Sequence, residues 1–220
     1  MSSYLPDGRL GGLVRDPVGS ARPFLVGSSW GAMLALAYAA AHPSTVRGLV
    51  LIGCGTFDVA ARGELERTLR QRIDARLRAE LDALETGIRD PDERLRTKGE
   101  LLLPLYCHDP VTLDLEDEVI DARAHEETWA DMLRLQAAGV YPAAFSVIEA
   151  PVLMLHGARD PHPGRMIRRS LEAHLPQLEY REWEACGHYP WLERSVRDGF
   201  YAFLIEWLER AGGSPAAAAT

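Results

Sequence analysis

The residues best suited to chemistry begin with Ser29. It sits in Gly27-Ser28-Ser29-Trp30-Gly31, between the apolar run at Pro23–Val26 and a second apolar run from Ala32. The G-x-S-x-G pattern makes Ser29, not Ser28, the nucleophile of a strained strand-to-helix turn. Small residues two positions away on either side are expected to let the neighbouring backbones approach. The helix that follows aims its positive end at the hydroxyl, and the Trp30 N–H is a donor for a developing oxyanion. A serine hydroxyl needs a base, and the base needs an orienting carboxylate. The stretch "HGARDPHP" supplies Asp160 and "CGHYPW" supplies His188. The chemistry these three support is acyl transfer through a covalent serine ester.

These residues must be held by the elements around them. "PFLV" reads as a short buried strand and "GAMLALAYAAAH" as a helix stopped by Pro43. "VRGLVLIGCG" is a second strand, rich in β-branched and apolar residues. From Asp58 the texture changes. Leu65, Leu69, Ile73, Leu77, Leu81, Leu84 and Ile88 recur at steps of three and four, which predicts one long amphipathic helix. Asp90 before Pro91 signals a new helix start, and helical pattern continues over Glu93–Tyr106 and Glu116–Ala138. "APVLMLHG" and "LEYREW" then read as strands flanking the helix "GRMIRRSLEAHL", and Arg197–Leu208 as a last helix. A short helical piece is expected near Leu10–Arg15 and a disordered tail over 211–220. Apolar strands alternating with helices predict an α/β fold with a parallel sheet covered on both faces, about four strands being recognisable. In such sheets ligands bind beyond the carboxyl ends of the strands, where Ser29, Asp160 and His188 all lie.

With these elements in place, the sequence resembles the alpha/beta-hydrolases. The elbow and helix "GSSWGAMLALAYAAAHP" are similar to those of proline iminopeptidase-like members. The resemblance runs from about Pro23 to Leu208 and rests on the elbow, "HGARD" and "GHYPW". It implies Ser29 as nucleophile, Asp160 as acid and His188 as base, in the chain order of that fold. It also implies a hydrolase core over 1–57 and 147–210, with residues 58–146 inserted as a helical cap above the pocket. Trp129, Met132 and Leu133 either line an acyl or leaving-group pocket or only pack the cap helices together. Glu126 and Glu127 fit a solvated helix face better than a site for a substrate's amine. The substrate class implied is a small ester, amide or short peptide.

Other uses of the notable residues are weaker. His156, Asp160 and His162 invite a metal, yet His156 ends a strand and His162 lies between two prolines, without the helical spacing of a zinc motif. Cys186 has no base of its own. No metal and no cofactor are therefore expected. The formal net charge of −8 argues against nucleic-acid binding. The longest apolar stretch is too short to span a bilayer, and three scattered cysteines fit a reducing cytoplasm.

One departure from the family sets up a competing reading. Members carry further strands before the elbow, one ending in an "HG" loop that supplies a second oxyanion donor. Only residues 1–22 precede Pro23, and a βαβ unit needs about 30. The one "HG" here, His156-Gly157, belongs to the acid strand. "PFLV" is then expected as an exposed apolar edge open to homo-oligomeric pairing. The alternative reading is an N-terminally truncated, catalytically impaired hydrolase acting as a binding or dimerising module.

Overall fold

The computed structural model describes residues 22–113 and 120–213. The readings near Leu10–Arg15, at the start of the Glu116–Ala138 segment and over most of the tail lie outside those residues. The elements, in chain order, are β1 (Phe24–Ser28), α1 (Trp30–Ala41), β2 (Gly48–Ile52), α2 (Val59–Arg72), α3 (Ala75–Gly87), α4 (Pro91–Tyr106) and α5 (Ala122–Ala137). They continue with β3 (Val152–Gly157), α6 (Gly164–Glu172), β4 (Leu178–Trp183) and α7 (Arg197–Gly212). Single 3-10 turns follow α1 and precede β3.

The four strands form one sheet in the order β1-β2-β3-β4, every pairing parallel. Every residue of β2 and β3 is buried, which explains their unbroken apolar runs. Their side chains alternate between two cores. Leu49, Leu51, Val152 and Met154 face α1 and α6, packing with Met33, Leu36 and Ile167. Val50, Ile52, Leu153 and Leu155 face α7 and meet Phe200 and Trp207. Among the described residues β1 is an outer strand, and Val26 is 52% exposed there.

The stretch between β2 and β3 departs from its expected form. The helix predicted across Leu65–Ile88 is two helices, broken where Ile73 turns extended and the Asp74 carboxylate caps α3 through the Leu77 N–H at 2.8 Å. A free aspartate offers the backbone a better start than continuation does. The apolar stripe survives the break: each of its seven members is half-buried. Cys107–Leu113 is not helical, and α5 starts at Ala122, capped by Asp121. At the other end α7 runs to Gly212, past the expected limit at Leu208. Among the described residues no helix is long and apolar enough to cross a membrane.

Candidate active site

Ser29 ends β1 and starts α1 with φ 53° and ψ −117°, the sole positive φ outside glycine among the described residues. A left-handed, non-glycine residue is strained, and a fold keeps such a residue only where its surroundings enforce it. Two contacts enforce it here. The Ser29 N–H donates to the Ile52 carbonyl of β2 at 2.8 Å, and its own carbonyl accepts from Ala32 at 3.1 Å. Its hydroxyl makes no capping bond to the helix it begins. Of the two glycines in the pattern, only Gly27 is sterically required. A Cβ there would lie 2.3 Å from the Gly31 carbonyl oxygen, whereas a Cβ on Gly31 would meet nothing within 4 Å. The expectation that both must be small is corrected for Gly31.

Asp160 follows β3, and its N–H closes a turn onto the Gly157 carbonyl at 3.1 Å. His188 lies in the loop after β4 and is 1% exposed. Its Nδ1 meets Asp160 Oδ2 at 2.6 Å. An ionised carboxylate only accepts, so the proton sits on His188 Nδ1 and leaves Nε2 as the free basic atom. Ser29 and His188 converge at the end of β2. Ile52 receives the serine's N–H, and the next residue, Gly53, is so close to His188 that a Cβ would lie 2.8 Å from Nδ1. Gly53 also has φ 54°, so the position excludes side chains twice over.

Asp160 carries more than its one expected partner. Its Oδ1 accepts the His162 N–H at 2.8 Å and His162 Nδ1 at 3.0 Å, while buried His156 approaches Oδ2 with Nε2 at 3.1 Å. Burial opposes the charge, but the three imidazoles outweigh it and hold the carboxyl well below its ordinary range. Burial likewise works against a proton on His156, and Asp160 overcomes it, so that His156 titrates higher than usual. Tyr106, at the end of α4, covers both His162 and His188 at ring separations of 5.8 and 5.3 Å. Burial pushes its phenol up to about 12.

The His188 loop is fixed by a residue that the sequence reading passed over. Glu193 is fully buried. Its carboxylate accepts the N–H groups of Gly187 and His108 at 2.8 Å and of Asp109 at 2.7 Å. The His188 N–H donates to the Tyr106 carbonyl at 2.7 Å. The His188 loop is therefore moulded against the segment that leaves α4. Arg72 completes the junction by donating to the carbonyls of Leu105 and Arg159. The apolar neighbours in "PWLERSV" are the signal that could have marked Glu193 as buried.

The remaining expected residues divide. Trp129 meets Trp30 edge-on at 5.6 Å and lies under the Arg62 guanidinium, so it borders the elbow. Met132 is 3% exposed and belongs to the main core. Leu133 is half-buried on the same helix, and Glu127 pairs with Arg123 at 2.8 Å. Cys186 is buried, and burial raises its thiol far above the ordinary value, against nucleophilic use. Asp160, His162 and His188 hold ligand-type atoms within 4.8 Å of one another. Both histidine Nδ1 atoms are already spent on the carboxylate, so these contacts are those of a hydrogen-bonded cluster.

A strained serine after β1 and a paired acid and histidine after β3 and β4 all lie at the carboxyl ends of one parallel sheet, where ligands bind in such folds. The chain belongs to the Alpha/beta hydrolase family, whose pattern matches residues 5–199. It is 26% identical over 206 residues to the 2-hydroxy-6-oxononadienedioate/2-hydroxy-6-oxononatrienedioate hydrolase of Burkholderia vietnamiensis, covering 90% of this chain and 66% of that protein. It is 23% identical to the proline iminopeptidase of Lactobacillus delbrueckii subsp. lactis, covering 89% of this chain and 68% of that one. In fold it is similar to a thermostable carboxyl esterase from Bacillus coagulans, with a TM-score of 0.59 at 16% identity, covering 93% of this chain and 70% of that chain. The chain thus spans about two thirds of the length of the curated relatives it matches.

Proposed function

We propose that the protein is a serine hydrolase acting on a small ester, amide or short peptide through an acyl-enzyme at Ser29. The observation that carries this reading is the strained Ser29 backbone beside a His188–Asp160 pair at 2.6 Å, all at the carboxyl ends of the strands. Ser29 Oγ attacks the substrate carbonyl as His188 Nε2 takes its proton. The tetrahedral oxyanion is met by the Trp30 N–H and the positive end of α1. As the bond to the leaving group breaks, His188 returns the proton to that group. Water then attacks the ester carbon, gives its proton to His188 and releases the acid, regenerating the serine. Asp160 stays ionised throughout and fixes the His188 tautomer. No metal or cofactor enters any step.

The helices between β2 and β3 act in this reading as a cap, with Trp129 beside Trp30 forming one wall of the acyl site. The names of the relatives favour carbonyl hydrolysis in general and do not choose among ester, amide and peptide. The test is labelling by a fluorophosphonate probe followed by peptide mapping, with burst kinetics on a p-nitrophenyl ester. Modification of Ser29 and its loss in Ser29→Ala are expected. Folded protein that leaves Ser29 unlabelled refutes the proposal.

A second reading draws on the exposed Val26 of outer strand β1. A binding or dimerising module would use that open edge for strand addition. Sedimentation velocity separates the two: a monomer with a reactive Ser29 supports the enzyme, and an unreactive dimer supports the module.

A further inference from the structure

His162 takes no part in the catalytic steps above. Its position is nonetheless specific. Both its backbone N–H and its ring Nδ1 lie on one oxygen of the Asp160 carboxylate, and its ring stacks on His188 at 4.7 Å with an interplanar angle of 21°. The side chain is 11% exposed and wedged under Tyr106. The carboxylate can only accept, so His162 is the Nδ1–H tautomer and donates.

We propose that His162 is a positioning residue whose Nδ1–H, by loading the far oxygen of Asp160, keeps His188 free of a proton, and so able to act as base, into mildly acidic conditions. This rests on the triad reading above. The argument concerns one shared acceptor. Each donor on a carboxylate disperses the charge that would otherwise hold a proton on the neighbouring imidazole. Asp160 Oδ1 is filled by two donors from residue 162, so less of that charge remains to hold a proton on His188 across Oδ2. Burial holds His162 below the ordinary histidine range, so the ring stacked at 4.7 Å stays neutral and its Nδ1–H remains a donor to Asp160 rather than a competing cation.

The titratable and charged groups around His162 come from every packed element. They are Asp160 in its own loop, His188 after β4, Tyr106 on α4 and His156 on β3, which reaches the His162 carbonyl at 3.1 Å. Arg72 on α2 and Glu182 on β4 act at longer range, on Asp160 and His156. Of these, only residue 162 loads Oδ1 while stacking on the base.

The test is the pH dependence of Ser29 labelling by a fluorophosphonate, which needs one chemical event and no known substrate. Two variants separate donation from stacking. His162→Phe keeps a ring and loses the donor; His162→Asn keeps a donor where Nδ1 stands and loses the ring. In H162F the ratio of labelling rates at pH 6 and pH 8 is expected to fall about threefold or more, equivalent to about half a pH unit. H162N is expected to keep the wild-type ratio. Loss by one factor at both pH values, or an H162N ratio displaced as in H162F, overturns the proposal. Independently of any variant, long-range 1H–15N correlation of the wild type at pH 7 is expected to place the His162 proton on Nδ1, and a proton on Nε2 alone overturns it. A wild type unlabelled at every pH removes the triad reading and this inference together, whereas labelling with coincident pH profiles removes this inference alone.

Discussion

Replacing Glu193 by alanine removes the acceptor of three backbone N–H groups held at 2.7–2.8 Å in a fully buried place. A buried donor left without a partner costs about 1–3 kcal/mol. Some will find water once the carboxylate leaves, so a total of about 3–6 kcal/mol is expected. For a domain of this size each kcal/mol lowers the melting temperature by about 2–4 °C, which predicts a fall of roughly 6–24 °C. Glu193→Gln refines the argument. Gly187 and His108 both donate to Oε1, which glutamine retains, while Asp109 donates to Oε2, where glutamine places an NH2 group. Glutamine therefore loses one bond and faces one donor with another, for about 1–3 kcal/mol. Thermal unfolding followed by far-UV circular dichroism gives the ordering: wild type above E193Q above E193A. Hydrogen exchange should localise the loosening to residues 106–109 and 186–188. An E193A protein that melts within about 1 °C of wild type would refute the idea that this carboxylate moulds the loop.

Two further outcomes follow from the same geometry. The Asp160 carboxyl is held below its ordinary value, so its contribution to stability is present above about pH 4 and is lost as the pH falls through its folded value. Asp160→Asn should flatten that acid limb in denaturant titrations and lower activity on the order of 10³–10⁴, and an unchanged limb would contradict the assignment. Gly53→Ala forces a Cβ to 2.8 Å from His188 Nδ1 at a positive φ. It should cost about 1–2 kcal/mol in backbone strain and slow Ser29 labelling beyond what that loss explains, the comparison being labelling rate against urea midpoint.

The parts of this protein that could be read from its sequence are those where one residue type has few uses in its context. A G-x-S-x-G between an apolar strand and a helix marks the tight strand-to-helix turn at Ser29, and β2 and β3 announce full burial through unbroken apolar runs. Less legible were the residues whose role depends on hydrogen bonds to backbone groups or on side chains brought together by folding. Asp74 sits inside the apolar stripe from Leu65 to Ile88, whose periodicity continues through it. The capping bond to Leu77 that breaks the helix leaves that periodicity intact. Glu193 has three backbone partners, which carry no sequence signal, and only its apolar neighbours mark it as buried. His162 looked like a loop residue between prolines. Its significance appears only when folding brings Asp160 and His188 to it.

The bonds from Glu193 to residues 108 and 109, and from His188 to the carbonyl of Tyr106, have a practical side for anyone wishing to alter this protein's selectivity. Transplanting everything between β2 and β3 from a relative would carry off a piece of the His188 loop's cradle along with the surfaces meant to be changed. A chimera cut outside residues 106–109 inherits a foreign backbone under its histidine. One that leaves those four residues in place exchanges the overhanging helices and keeps the His188 loop seated on its native bed.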